Sequence, residues 1–160
     1  IDKTVSGVTA VITSKRQVIN DPVVQARYTS DWTAVINRLD NEHASNVSLL
    51  NRNLIDEDEF TRRARVINET KTTELAAIDN NYKATNSIWG PLEVDILFSS
   101  AKPTSSNVVI EIDVVFHGGA TDLLTGYPDP LLSNETYHEV VSFRTGKYVT
   151  SVTAVRIVKK

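Results

Sequence analysis

At 160 residues, with 41% hydrophobic and 23% charged content, the chain is long enough for one domain with a sizeable core and has an ordinary globular composition. A formal charge of −3 gives no reason to expect nucleic acid or an anionic membrane as partner, since those surfaces require clustered positive charge. Cysteine is absent, which excludes disulfides, thiolate nucleophiles and Cys-ligated zinc.

No apolar run approaches the roughly 18 residues of a membrane span, and no signal peptide opens the chain. Methionine is also missing, even at position 1, so the chain reads as processed, trimmed or part of something longer. Three sequons, at Asn46, Asn68 and Asn134, would accept glycans only in a secreted eukaryotic protein. In a segment rich in Asn, Ser and Thr they read as coincidence.

Thr4–Thr13 is β-branched and alternating, which predicts a first strand. Between Pro22 and Gly90 there is then neither glycine nor proline, so nothing punctuates the backbone. Asp21-Pro22 reads as an N-cap followed by proline at the first helical position. Val24, Tyr28, Trp32, Val35 and Leu39 recur at helical steps and line one face. The pattern weakens at Asn51-Arg52-Asn53, where a turn is expected. Asp56 and Glu59 have capping-box spacing, and the acidic run 56–59 suits the positive end of a helix. Phe60, Ala64, Ile67, Lys71, Leu75, Ile78 and Tyr82 then form a second stripe. Two antiparallel arms, about 22–50 and 56–86, make a helical hairpin.

At 1.5 Å per residue each arm extends roughly 45 Å, whereas a strand of eight to ten residues covers only about 30 Å. The hairpin is therefore expected to overhang the rest. Its tip carries Val47, Leu49, Leu50, Leu54, Ile55 and Phe60. Either the two arms bury these side chains against each other, or a neighbouring subunit covers them. Ten Asn between residues 20 and 86 favour the neighbour, because helices of mediocre formers draw their stability from packing. Lys71 within the stripe reads as a register-setting polar interruption or as a snorkelling stem at its edge.

After Gly90 the punctuation returns. Leu92, Val94, Ile96 and Phe98 alternate with Glu93 and Asp95, and Val108, Ile110, Ile112, Val114 and Phe116 do the same against Glu111 and Asp113. Lys102-Pro103-Thr104-Ser105-Ser106 supplies the turn between them. Runs at about 137–144 and 147–158 flank Arg144-Thr145-Gly146-Lys147, which reads as a tight hairpin. The segment 117–135 is the longest irregular stretch. The fold class is α+β: a long antiparallel helical hairpin inserted after a first strand and packed on a mainly antiparallel sheet of about five strands. All of 1–160 reads as one domain, with the first strand in 1–20, the hairpin in 21–88 and the β region in 89–160.

No motif identifies a reaction. His117-Gly118-Gly119 resembles an oxyanion-hole loop in composition, yet no Gly-x-Ser-x-Gly elbow accompanies it. His43 and His138 lack paired-ligand spacing, Asp122 and Asp129 lack EF-hand spacing, and both phosphate-loop patterns are missing. The expectation is a protein without catalysis, cofactor or metal. It reads as a structural subunit of a large assembly, a virion component such as a bacteriophage tail, neck or head protein. Its partners are copies of itself or other subunits, engaged through Leu49, Leu50, Leu54, Ile55 and Phe60. The alternative is an extracellular monomer that binds a glycan or peptide on loop 117–135, with Tyr127 and Asp129 as contacts.

Overall fold

The computed structural model describes residues 7–100, 108–130 and 135–159. The chain divides into two compact units: Pro22–Lys83, and the flanking segments Ile1–Asp21 with Ala84–Lys160. The first is all helix and the second all β. The element order is β1 (Val8–Arg16), α1 (Pro22–Asn51), α2 (Glu57–Ala84), β2 (Leu92–Ser100), β3 (Val108–Phe116), β4 (Thr121–Gly126), β5 (Thr136–Phe143) and β6 (Val149–Lys159). This is the expected α+β arrangement of a strand, an antiparallel helical hairpin and then further strands. Both arms fall within two residues of their expected bounds. The first strand ends at Arg16, three residues beyond the predicted end; Thr4–Ser6 and the turn at 102–106 lie outside the described residues.

The strands make two three-stranded antiparallel sheets, in the orders β1-β2-β5 and β4-β3-β6, rather than one sheet of about five. The alternating strands explain why. The central strands β2 and β3 each present a row of apolar side chains: Leu92, Val94, Ile96 and Phe98 on one, Val108, Ile110, Ile112, Val114 and Phe116 on the other. All nine are buried and belong to one core with Val141, Phe143, Val149 and Ile157. The two inner faces therefore bury each other, as in a β-sandwich. Gly126 shows how closely they meet. A Cβ there would lie 2.7 Å from both Phe143 Cε1 and Val141 Cγ1 of the opposite sheet.

Two expectations for this unit are corrected. Segment 117–135 is not wholly irregular, because Thr121–Gly126 forms the edge strand β4 against β3. The pattern hides it: Leu123 and Leu124 are adjacent, and only Leu124 points inward while Leu123 is exposed. Arg144-Thr145-Gly146-Lys147 is not a tight hairpin either, since β5 pairs with β2 and β6 with β3. That segment carries the chain from one sheet to the other. The tight turn lies instead at Phe116–Gly119, closed by Gly119 N–H donating to the Phe116 carbonyl at 3.0 Å. Gly118 there has φ +96°, the positive value that a type II turn demands at its third residue.

Bulges interrupt the ladder in β1 after Ile12 and between Asp113 and Val114. Each leaves one threonine out of register, and its hydroxyl donates to the opposed carbonyl. Thr13 Oγ1 reaches Asp95 O at 3.0 Å, and Thr153 Oγ1 reaches Asp113 O at 3.4 Å. The bulged backbone acceptors are thus supplied by side chains instead of the regular ladder.

The helical unit is an insertion whose two ends are tied together within the β unit. Ile19 bridges Trp89, Asn20 N–H donates to Ile88 O at 2.8 Å, and Gly90 N–H donates to Val18 O at 2.8 Å. Gln17 strengthens this stem, donating from Nε2 to the Gly90 and Lys147 carbonyls and accepting from Val149 N–H.

Candidate functional site

The hairpin is built from the two predicted stripes. Every stripe residue from Val24 to Leu39 and from Phe60 to Tyr82 is buried or half-buried. Its core is thin: Val35, Leu39 and Ile67, with Leu75 and Ile78 packed alongside. Near the base Tyr28 meets Tyr82 edge-to-face at 4.9 Å, and the Tyr82 hydroxyl donates to Asp31 at 2.8 Å. Burial first, and the Asp31 carboxylate second, push the Tyr82 hydroxyl's pKa up. Polar pairs then fix the register along the arms. Arg38 pairs with Glu74, and Lys71 Nζ with Asp40 at 3.0 Å. Lys71 therefore reaches from the stripe's edge to a carboxylate on the facing helix.

At the tip the sequence stops α1 without a glycine. Asn53 takes φ +56°, and its N–H donates to the Leu50 carbonyl at 3.0 Å, while Leu54 N–H donates to the Leu49 carbonyl at 2.9 Å. That pair of bonds is a Schellman cap with asparagine in the left-handed position. Asp56 then caps α2, its Oδ1 accepting Glu59 N–H at 2.8 Å. Ile55 and Phe60 occupy the two positions of a hydrophobic staple around that cap, and both are half-buried. The Phe60 ring also lies 5.6 Å from the His43 ring on α1.

Charge organises the flank of the tip. Glu59 accepts from Arg62 Nε at 2.9 Å and Nη2 at 2.6 Å, and from Arg63 Nε at 2.9 Å. These two guanidinium groups hold its carboxyl well below the usual 4.5, at about 2. Arg63 also donates to Oδ1 of Asn46 at 3.1 Å, and Asn46 is a buried polar side chain inside the hairpin. A cleft of about 290 Å³ opens here, lined by Glu42, Asn46, Arg62, Arg63 and Val66.

The structure thus brings Leu49, Leu50, Leu54, Ile55 and Phe60 together at one tip, but not equally. Leu49, Leu50, Ile55 and Phe60 are half-buried, whereas Leu54 is 58% exposed. Tyr127 and Asp129 belong to the other compact unit, just past β4, and both are exposed. Asp129 N–H donates to Glu139 Oε1 at 2.9 Å. Glu139 lies on the inward row of β5, and its Oε2 is buried with no hydrogen-bond partner among the described residues. Burial raises its pKa, and the nearby Asp129 carboxylate raises it further against the opposing effect of that N–H bond.

Sequence reasoning passed over three features. Val66 is 47% exposed and stands outside the predicted stripe. Asn46 reads as one more polar helix residue, although it continues the buried face about two turns beyond Leu39. On the β unit, Asn20, Trp89, Pro91, Arg144, Thr145 and Gly146 line a cleft of about 490 Å³, with Trp89 packed on Tyr148 at 4.8 Å. Only the stem pairing assembles that last group, and no local spacing announces it.

His117 sits half-buried in the β3–β4 turn, its backbone N–H donating to the Tyr148 carbonyl at 3.0 Å. Among the described residues no group of three His, Asp or Glu could hold a metal ion. Among the described residues no helix is long and apolar enough to cross a membrane. No protein-family model matches the chain, and neither a curated protein nor a solved structure matches it.

Proposed function

We propose that the chain is a non-enzymatic structural subunit of a larger assembly, which engages neighbours through the tip of its helical hairpin. The observation that supports this reading is the shortage of burial in the hairpin. Among its apolar side chains only Val35, Leu39, Ile67 and Tyr82 are buried, while Val23, Leu54 and Val66 are exposed. Leu49, Leu50, Ile55 and Phe60 are only half-covered. Covering a large apolar side chain is favourable by roughly 1.5–3 kcal/mol, and helices of this composition depend on packing for stability. A neighbour seated on the tip supplies that packing. The setting we favour is a virion, in particular a bacteriophage tail, neck or head, where a long helical hairpin inserted in a small β unit suits interlocking subunits; this rests on analogy of architecture.

Size-exclusion chromatography with light scattering on the full chain tests the reading. The expected result is concentration-dependent association that Leu50→Asp abolishes, with the β-unit fluorescence of Trp89 unchanged. A chain that remains monomeric at the highest attainable concentration, or an oligomer indifferent to Leu50→Asp, refutes it.

A further inference from the structure

We infer that the neighbour at the tip is a second copy of this chain, docked by an antiparallel two-fold pairing of α2 through Asp58 and Arg62. This rests on the reading above that the tip is an assembly surface, and adds the partner and the register. Four exposed residues follow one another at four-residue steps: Leu54, in the turn just ahead of α2, then Asp58, Arg62 and Val66 on it. Leu54 and Val66 are 58% and 47% exposed, and the Arg62 side chain is 62% exposed. Residues four apart form the ridges by which helices pack. Of the four, Asp58, Arg62 and Val66 make the ridge on α2 and Leu54 precedes it in the turn; read forwards they run apolar, acidic, basic, apolar, and backwards apolar, basic, acidic, apolar.

An antiparallel copy therefore sets Asp58 against Arg62 twice, with Val66 towards the partner's Leu54, around a two-fold axis that passes between Asp58 and Arg62 on the helix face opposite Phe60. That is the self-complementarity an isologous interface requires. The charges are available for it. The Asp58 side chain has no hydrogen bond or ion pair among the described residues. Glu59 holds Arg62 through Nε and one hydrogen of Nη2, which orients the planar fork and leaves further N–H donors of the five for a carboxylate. The apolar pair at each end of the ridge shields the charge pairs from water and salt. A parallel copy would set acid on acid and base on base, so the pattern selects one orientation.

A charge-swap experiment on the full chain tests the pairing. Asp58→Arg places two arginines opposite each other in every dimer, and Arg62→Asp places two aspartates. Each single variant is expected to weaken self-association by about tenfold or more. An equimolar mixture of the two variants restores complementary pairs and should associate within about threefold of the wild type. Circular dichroism confirms that helicity survives the loss of the Arg62–Glu59 bond. Three results overturn the proposal, and they separate it from the reading beneath it. If both single variants associate like the wild type while Leu50→Asp is monomeric, the pairing falls and the assembly surface stands. If the mixture stays dissociated, the variants acted other than through complementarity, and the pairing falls again. If the wild type itself never associates, both fall together.

Discussion

Leu39→Ala probes whether the hairpin is held by its own core. Leu39 is 2% exposed and sits with Val35 and Ile67 in a cluster composed only of hairpin residues. Truncating a buried leucine costs about 2–5 kcal/mol, less where the site can collapse. A core only two helices thick collapses readily, so about 2–3 kcal/mol is expected. For a unit of this size each kcal/mol shifts the midpoint by about 4–8 °C, which predicts a fall of roughly 10–20 °C. The two tryptophans provide the assay, because Trp32 lies in the hairpin and Trp89 in the β unit. In a Trp89→Phe background the remaining fluorescence reports the hairpin, and in a Trp32→Phe background it reports the β unit. Each is compared with its own Leu39 parent at one protein concentration, since association raises the hairpin midpoint. The hairpin signal should shift by the full amount and the β signal by a few degrees at most. Equal shifts of both reporters would refute the claim that the hairpin core is energetically its own. No shift in either would mean that Leu39 contributes little to it.

Three further outcomes follow from the structure. Gly126→Ala forces a methyl to within 2.7 Å of Phe143 and Val141 and should destabilise the β unit by about 1–3 kcal/mol, read by denaturant unfolding of Trp89 fluorescence. Glu59 has a folded pKa of about 2 against an ordinary 4.5. The stability it confers is present above pH 4.5 and lost as the pH falls towards 2, so Glu59→Gln should flatten the acid unfolding of the hairpin across that window. Glu139 behaves oppositely, because burial raises its pKa. The folded state holds that proton more tightly than the unfolded chain, so stability falls as pH rises through the elevated value. Glu139→Gln keeps the acceptor for Asp129 N–H and should raise the β-unit melting temperature at pH 7 while leaving it little changed below pH 4.

The sequence by itself determined every element that has a dense local signature. Sixty-seven residues without glycine or proline, two stripes at helical steps and the Asp56–Glu59 cap specified the hairpin and its turn. Alternation, relaxed only at Leu97, Val109 and Val115, specified β2 and β3. The tip residues were legible as a group because they cluster around one turn, but their unequal exposure was not. Whether Leu54 or Phe60 is covered depends on the cap geometry and on His43 across the hairpin. The division of the strands between two sheets was decided only in the tertiary structure. A period of two says that a strand has one apolar face and is silent about what covers it. Two facing rows, β2 against β3, and one helical layer against one sheet write the same pattern. β4 is an edge strand with a single inward leucine, so its identity comes from pairing with β3. The 144–147 segment reads as a hairpin turn because its length and glycine fit one, yet β5 and β6 find their partners in different sheets. Long-range pairing, selected by how the inner faces fill one core, overrides what a turn's local chemistry suggests.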